Sequence, residues 1–323
     1  MVGRSLLALM LCLAMAATLW GVSLVVPSGE VASSVAGPAA HLDAPLPPAA
    51  QLRLDTTPAQ ALAAPAQPST PDQPPPPPEP NPLEKWAAKT APLLGIPDSA
   101  LIGYGTADLM MQDKEPKCGL SWITLAAVGR VDAQQWHPQS GVPAAVTTAQ
   151  QLCAHGRDTS TDSGWEAAVR SVGDGTAHLH QVLAAATAYA TAVQSNIPIS
   201  PPALAAINFA IDQIGLPYEW GGNGPRQGDP GFDCSGLTKA AYASAGIELP
   251  RTAAAQYFAT RHLGSHEALQ PGDLVFYANP VDGIHHVGLY IGNGEMINAP
   301  TFGMPVQVGS YRYNDYAGAG RPY

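Results

Sequence analysis

The pattern of apolar positions changes near residue 200. Between residues 83 and 195, apolar residues recur at intervals of three and four, and Ala, Leu and Gln dominate, which predicts an all-helical segment. Over residues 200–323, two helical stretches precede short alternating runs such as DLVFYA, HVGLYIG, EMINAP and PVQVGSY. Alternation of this kind predicts antiparallel strands. The sequence therefore predicts helices over 83–195 and an α+β domain over 200–323.

The N-terminal stretch is apolar throughout. No side chain from residue 5 to residue 26 is charged, and a helix that crosses a bilayer needs about 20 apolar residues. We interpret residues 1–26 as a membrane anchor, with a signal segment cleaved near residues 34–36 as the alternative. Either interpretation places the following residues outside the cytoplasm. The protein is expected to be held in the cell membrane by a single span or, alternatively, secreted.

Residues 27–82 have a composition that is poor in core-forming side chains. They are mainly Ala, Pro, Ser and Gln, and they end in PDQPPPPPEPNP. Consecutive prolines favour polyproline II, which has no internal hydrogen bonds and acts as a semi-rigid spacer. We predict a disordered linker here.

Charge and histidine spacing argue against two classes of function. The chain has a net charge of -10, so it cannot gain binding free energy by displacing the cations that surround nucleic acid. Nucleic acid is therefore not an expected partner. His178 and His180 do not share a helix face, and His285 and His286 point oppositely on a strand. Because no set of residues has zinc-like spacing, we expect no metal and no cofactor.

The four cysteines have different expected environments. Cys12 lies in the apolar N-terminal stretch, whereas Cys118 and Cys153 share the helical segment of an exported protein and can pair there. Such a bridge, closing about 35 residues, would contribute roughly 3–4 kcal/mol on the chain-entropy model. Cys234 is then left without a partner, and catalysis is the leading explanation for a lone exported thiol.

Cys234 follows a Gly-rich loop and begins a predicted helix. Asp233 is a suitable N-cap, and the free N–H groups of a helix start favour a thiolate, which is the reactive form of cysteine. The backbone N–H of Cys234 could also face a developing oxyanion. The alternative interpretation is a small buried apolar residue.

A thiol nucleophile needs a base, and strand periodicity favours His286 among four downstream histidines. In HVGLYIG, the residues at 287, 289 and 291 form the core face, which leaves His286 and Gly288 on the other face. Gly288 is expected to leave open space for substrate beside His286. His285 is interpreted as a rim residue, and His262 and His266 as solvated loop residues.

The predicted hairpin turn at Gly292-Asn293-Gly294 suggests a partner for this base. If Ile291 opposes Glu295, Asn298 lies opposite Gly288 and diagonal to His286. An Asn carbonyl there would fix the imidazole tautomer. A slip of one residue in the register would remove this contact.

The segments GLPYEWGG, FDCSGL, LPRTAAAQY, PGDLVFY, HHVGLYIG and INAP resemble, in order and spacing, the NlpC/p60 cell-wall cysteine peptidases. The resemblance covers about residues 200–323. It implies a papain-like fold and cleavage of the D-γ-glutamyl–diaminopimelate bond in peptidoglycan stem peptides. It assigns Cys234 as nucleophile, His286 as base and Asn298 as the third polar residue. It also implies that Tyr218 lines the site and helps hold the oxyanion, and that Asp233 and Ser235 bind the amine end of the substrate.

Residues 93–192 resemble, more weakly, the lysozyme-like soluble lytic transglycosylases, through CGLSWITLAAVGRV, QLCAHGRDTST, GWEAAV and VLAAATAYA. Where that family has its catalytic Glu, this chain has Asp132, and the groove-forming segment after it is missing. The resemblance therefore implies a degenerate domain that binds glycan or positions the peptidase. It also matches Cys118 and Cys153 to cysteines expected to pair.

Three hypotheses follow for the whole chain. The leading one is an anchored peptidoglycan endopeptidase whose domains face the cell wall, with stem peptides, glycan strands and a conjugation or secretion machinery as candidate partners. The second is a bifunctional lytic transglycosylase and peptidase, which requires Asp132 to act as an acid. The third is a non-catalytic wall-binding scaffold, which predicts a damaged Cys-His pair.

Overall fold

The computed structural model describes residue 46, residues 80–133 and residues 141–322. The predicted anchor at residues 1–26 lies outside this part of the chain, as does the predicted linker apart from residues 46 and 80–82. Within the described residues, no helix is both long enough and apolar enough to cross a bilayer.

The first described segment is helical, as its periodicity predicted. Its helices are α1 (Pro82–Leu94), α2 (Asp98–Lys114), α3 (Trp122–Ala133), α4 (Val142–Cys153), α5 (Asp162–Val169) and α6 (Gly175–Ser195). Asn81 caps α1 because its side chain accepts a hydrogen bond from the Glu84 N–H, while the Glu84 carboxylate accepts one from the Asn81 N–H. A disulfide joins Cys118, ahead of α3, to Cys153 at the end of α4.

The second segment has the predicted α+β arrangement. Its elements are α7 (Pro201–Gln213), α8 (Cys234–Ala243), α9 (Ala253–Ala259), β1 (Arg261–His262), β2 (Leu274–Asn279), β3 (Gly283–Gly292), β4 (Glu295–Asn298), β5 (Gln307–Ser310) and β6 (Tyr316–Arg321). The Ser200 hydroxyl caps α7 by accepting from the Ala203 N–H at 3.3 Å. The four runs predicted to be strands overlap β2 to β5, and β3 begins three residues earlier than predicted, whereas β1 and β6 have no clear alternation and were not predicted.

These strands form one antiparallel sheet with the order β1-β6-β2-β3-β4-β5. The sheet separates two apolar clusters. Val287, Leu289 and Ile291 pack into the large core with the helices, and Tyr290 and Met296 belong to a smaller cluster. Because strand side chains alternate between faces, β3 directs His286 away from the large core.

The large core is continuous between the two segments. It includes Val182 and Ala186 of α6 as well as Ile297 and Val306 of the sheet segment. Polar contacts also join the segments. The Thr187 hydroxyl donates to the buried Glu295 carboxylate at 2.9 Å, and the buried Arg130 of α3 pairs with Asp212 of α7 at 3.0 Å. The helical segment therefore packs directly against the sheet segment and its β3–β4 hairpin.

Candidate active site

Cys234 is the first residue of α8, as the sequence predicted. Asp233 has extended backbone geometry, and its carboxylate accepts a hydrogen bond from the Gly236 N–H at 2.6 Å. A side chain at Gly236 would collide with the carbonyl oxygen of Gly222, so glycine allows the preceding loop to pack against the helix start. Cys234 is half-buried and is the free cysteine among the described residues.

Asp233 is also bound by a guanidinium group. Arg251 donates to both carboxylate oxygens, at 2.9 and 2.6 Å, and to the Ser235 hydroxyl at 3.0 Å. Buried Gln256 donates to the Ser235 carbonyl at 2.9 Å. This network fixes the turn that carries Cys234, because bidentate pairing restrains both the distance and the plane of the two groups.

The β3–β4 hairpin brings His286 and Asn298 together. The His286 Nε2 atom lies 3.2 Å from the Asn298 Oδ1 atom, and Asn298 is buried. An amide oxygen only accepts, so Nε2 carries the proton in this contact and Nδ1 is the free acceptor of the neutral ring. The hairpin therefore gives His286 the tautomer of a base.

The register of this hairpin contains one irregularity. Asn293 and Gly294 have positive φ angles of 47° and 85°, the geometry of a tight primed turn. Glu295 pairs with Gly292, as a two-residue turn at Asn293-Gly294 requires, so the supposed pairing of Glu295 with Ile291 is wrong. The ladder shifts between residues 290 and 292. Beyond this bulge Leu289 pairs with Ile297, which restores the register that sets Asn298 beside His286.

The expectation of open space beside His286 at Gly288 is wrong. A Cβ atom on Gly288 would collide with the Met296 sulfur atom and approach the Asn298 side chain. Met296 is fully buried in the small cluster and occupies the room that the glycine leaves. Gly288 therefore accommodates close packing of the strand pair and does not contribute to a substrate groove.

Burial keeps both reactive groups in their neutral forms. It raises the pKa of the Cys234 thiol, as does the charge of Asp233, while hydrogen bonds to Val287 and Ser235 act in the opposite direction. Burial lowers the pKa of His286 to about 4, which the contact with Asn298 opposes only in part. The free thiolate expected from the helix start alone is therefore not the favoured form, because desolvation outweighs it.

Cys234 and His286 line one open cleft of about 930 Å³. Tyr218, Asp233 and Ser235 line the same cleft, so it collects five of the six residues that the sequence associated with the peptidase. The sixth, Asn298, is buried and contacts His286. Burial and the nearby Cys234 and Asp233 raise the pKa of Tyr218, which keeps its phenol protonated and able to donate.

The sequence did not identify several other cleft residues, among them Arg251, Tyr277 and Asp315. Arg251 lies 18 positions after the aspartate that it binds, and no local pattern links them. The Tyr277 ring stacks at a tilt 5.6 Å from the His286 ring. Asp315 lies 3.1 Å from His285, which is exposed because the β2–β3 ladder shifts beside it. The alternating pattern of β2 could have placed Tyr277 on the face of the sheet that carries His286. No comparable pattern in the sequence points to Arg251 or Asp315.

Asp132 lies apart from the cleft. It is exposed near the end of α3, and its Oδ1 atom is 2.9 Å from the Nε2 atom of His178 on α6. Among the residues that the structure describes, no group of three or more His, Cys, Asp or Glu side chains could hold a metal ion.

Three comparisons relate the chain to known proteins. Residues 215–318 match the model of the NlpC/P60 family. The chain is 36% identical over 212 residues to the peptidoglycan endopeptidase RipB of Mycobacterium tuberculosis, covering 56% of this chain and 85% of that protein. It is 47% identical over 116 residues to the probable endopeptidase p60 of Listeria innocua, covering 36% of this chain but only 22% of that protein.

A solved structure of the peptidoglycan hydrolase RipB from Mycobacterium tuberculosis is also similar. It has 36% sequence identity and a TM-score of 0.34, and the match covers 39% of this chain and 69% of that one.

Proposed function

The chain belongs to the NlpC/P60 family, and on that premise we propose that it is a peptidoglycan hydrolase, a cysteine endopeptidase of stem peptides. The bond that we propose is the one between D-γ-glutamate and diaminopimelate. The observation that carries the proposal is the shared cleft, in which Cys234 begins a helix and His286 is hydrogen-bonded to Asn298.

The proposed reaction begins with a neutral thiol and a neutral imidazole. His286 takes the thiol proton as the Cys234 sulfur atom attacks the carbonyl carbon of the amide. The carbonyl oxygen becomes negative and is held by N–H groups at the start of α8 and by the Tyr218 phenol. His286 then protonates the departing amine, and water hydrolyses the thioester with His286 again acting as base.

Asn298 acts in this scheme by holding the imidazole and does not exchange protons itself. Asp233 and Ser235 face the same cleft and are proposed to contact the amine end of the substrate. Arg251 already donates to both oxygens of Asp233, so the carboxylate is not free. The substrate would therefore meet the Asp233–Arg251 ion pair and not an isolated negative charge.

For the helical segment we propose a degenerate lysozyme-like domain without glycosidase activity. The exposed position of Asp132 and its contact with His178 support this, since the general acid of a glycosidase lies in a groove that encloses the scissile bond. We also propose that the first 26 residues anchor the protein, that its domains face the cell wall, and that a conjugation or secretion machinery is a partner.

Mass spectrometry of purified peptidoglycan digested with the 323-residue chain tests both activities. New ends at D-glutamate and diaminopimelate, lost in a Cys234→Ala variant that retains its circular dichroism spectrum, are the expected result. Retention of these products by the variant would contradict the nucleophile. Anhydro or reducing muramic ends, diminished by Asp132→Asn, would show that the helical segment is an active glycosidase.

A further inference from the structure

A second cavity lies behind the turn that carries Cys234. We call this space the rear cavity; it has a volume of about 690 Å³. It lies between α7, the short helix Pro225–Gln227 and α8. The face of α8 with Gly236, Lys239 and Ala243 lines this space, whereas Cys234 and Ser235 line the active-site cleft. The two cavities therefore lie on opposite sides of one helix.

The rear cavity contains positive charges without matching negative ones. Arg226 and Lys239 line it, no acidic residue does, and neither cation forms an ion pair among the described residues. Two acidic side chains close to these cations in sequence are otherwise engaged: Asp229 accepts from Asn223, and Asp233 pairs with Arg251. In a chain with a net charge of -10, two unpaired cations facing one cavity favour an anionic ligand.

The remaining lining suits a carbohydrate better than a bare ion. The side-chain amides of Gln213, Gln227 and Asn223 border the space. The Gln213 and Asn223 nitrogens already donate within the protein, so their oxygens can accept from hydroxyl groups, and the Gln227 amide can both donate and accept. The Arg226 guanidinium lies 5.6 Å from the centre of the Phe209 ring, a cation–π contact that orients it. The volume falls in the range of sites for small organic molecules and far exceeds a single inorganic anion.

We propose that the rear cavity binds a carbohydrate that carries an acidic group, either a carboxylate or a phosphate. Arg226 and Lys239 hold the acidic group, and the amides hold the hydroxyl or acetamido groups of the sugar. The site is independent of peptide cleavage, because none of its lining residues lies in the cleft that contains Cys234. A bound saccharide would occupy the opposite side of the helix from the nucleophile.

Binding of three sugars to the 323-residue chain, measured by isothermal titration calorimetry, tests this proposal. N-acetylmuramic acid supplies a carboxylate, glucose 6-phosphate supplies a phosphate, and N-acetylglucosamine is the neutral comparison. We expect at least one acidic sugar to bind about tenfold or more tightly than the neutral one, with an affinity that falls as salt rises. The acidic sugar that binds identifies the source of the ligand as carboxylate-bearing or phosphate-bearing.

Variants locate the binding. Arg226→Gln and Lys239→Gln should each weaken the acidic sugar about tenfold, since each removes one charged contact. Arg312→Gln is the matched control, because Arg312 is also exposed and stacks on an aromatic ring, that of Tyr311, but lies outside the cavity. The proposal would be overturned if the neutral sugar bound as tightly as the acidic sugars, or if neither acidic sugar bound. It would also be overturned if Arg312→Gln weakened binding of the acidic sugar as much as Arg226→Gln and Lys239→Gln do. Peptide cleavage by folded Arg226→Gln and Lys239→Gln proteins reports separately on the peptidase.

Discussion

Glu295 offers a direct test of how the helical segment supports the catalytic hairpin. It begins β4, three residues before Asn298, and only 8% of its surface is exposed. Among the described residues, its carboxylate contacts the Thr187 hydroxyl of α6 and no cation. Burial raises its pKa from 4.5 to about 7, and the Thr187 hydrogen bond offsets this only in part. The interface therefore contains a carboxylate that is costly to ionise.

The sign and size of the effect follow from linkage. A pKa that is raised in the folded state means that folding favours the protonated form, so the stabilisation is complete below pH 4.5 and decreases as pH rises to about 7. At about 1.4 kcal/mol for each unit of pKa, the ionised carboxylate costs about 3 kcal/mol above pH 7. Glu295→Gln replaces it with a neutral group of the same shape and removes this cost.

At pH 8 we expect Glu295→Gln to have a free energy of unfolding about 3 kcal/mol higher than the parent, and therefore a higher urea midpoint. At pH 4.5 we expect the two proteins to have nearly the same free energy of unfolding. Urea titrations followed by circular dichroism at both pH values measure the difference. Comparing variant with parent cancels the titration of all other groups. Glu248→Gln, at an exposed position, is the control and should show no such difference. Equal stability of parent and Glu295→Gln at pH 8 would show that the buried carboxylate is not costly to ionise.

Three further predictions concern the catalytic pair and the disulfide. Asn298→Ala should lower kcat roughly tenfold to a hundredfold with little change in KM, because the imidazole loses its orienting acceptor; an unchanged kcat would assign Asn298 to packing alone. The acid limb of kcat/KM should lie near pH 4, where His286 gains its proton, and a limb near pH 6.5 would contradict the burial argument. Reducing the Cys118–Cys153 bridge, which spans 35 residues, should lower the free energy of unfolding by about 3–4 kcal/mol in urea titrations, and a loss below about 1 kcal/mol would count against the chain-entropy account.

Much of the catalytic hairpin was predictable because its signals are local. Strand alternation alone assigns Val287 and Leu289 to the core and His286 to the other face. The Asn293-Gly294 turn fixes where the chain reverses. The bulge at its end was not predictable, but it shifts only the pairing of Glu295 and leaves the register at Asn298 intact.

The charges of the site were much less predictable. The sequence places Asp233 at a helix start but gives no indication that Arg251 binds both its oxygens. It also suggests a thiolate at Cys234, whereas burial and the neighbouring carboxylate raise the pKa of the thiol. Desolvation depends on every segment that packs over a group, so short-range patterns do not determine it.

Local patterns in the sequence specify the helix start at Cys234, the face on which His286 lies, and the α+β order of residues 200–323, because backbone periodicity and capping act over a few positions. Long-range packing is responsible for the filling of the space at Gly288 by Met296, the contact of Thr187 with Glu295, and the unpaired cations of the rear cavity. These features arise where distant segments pack together, and packing is set by the shapes and charges of all the partners at once.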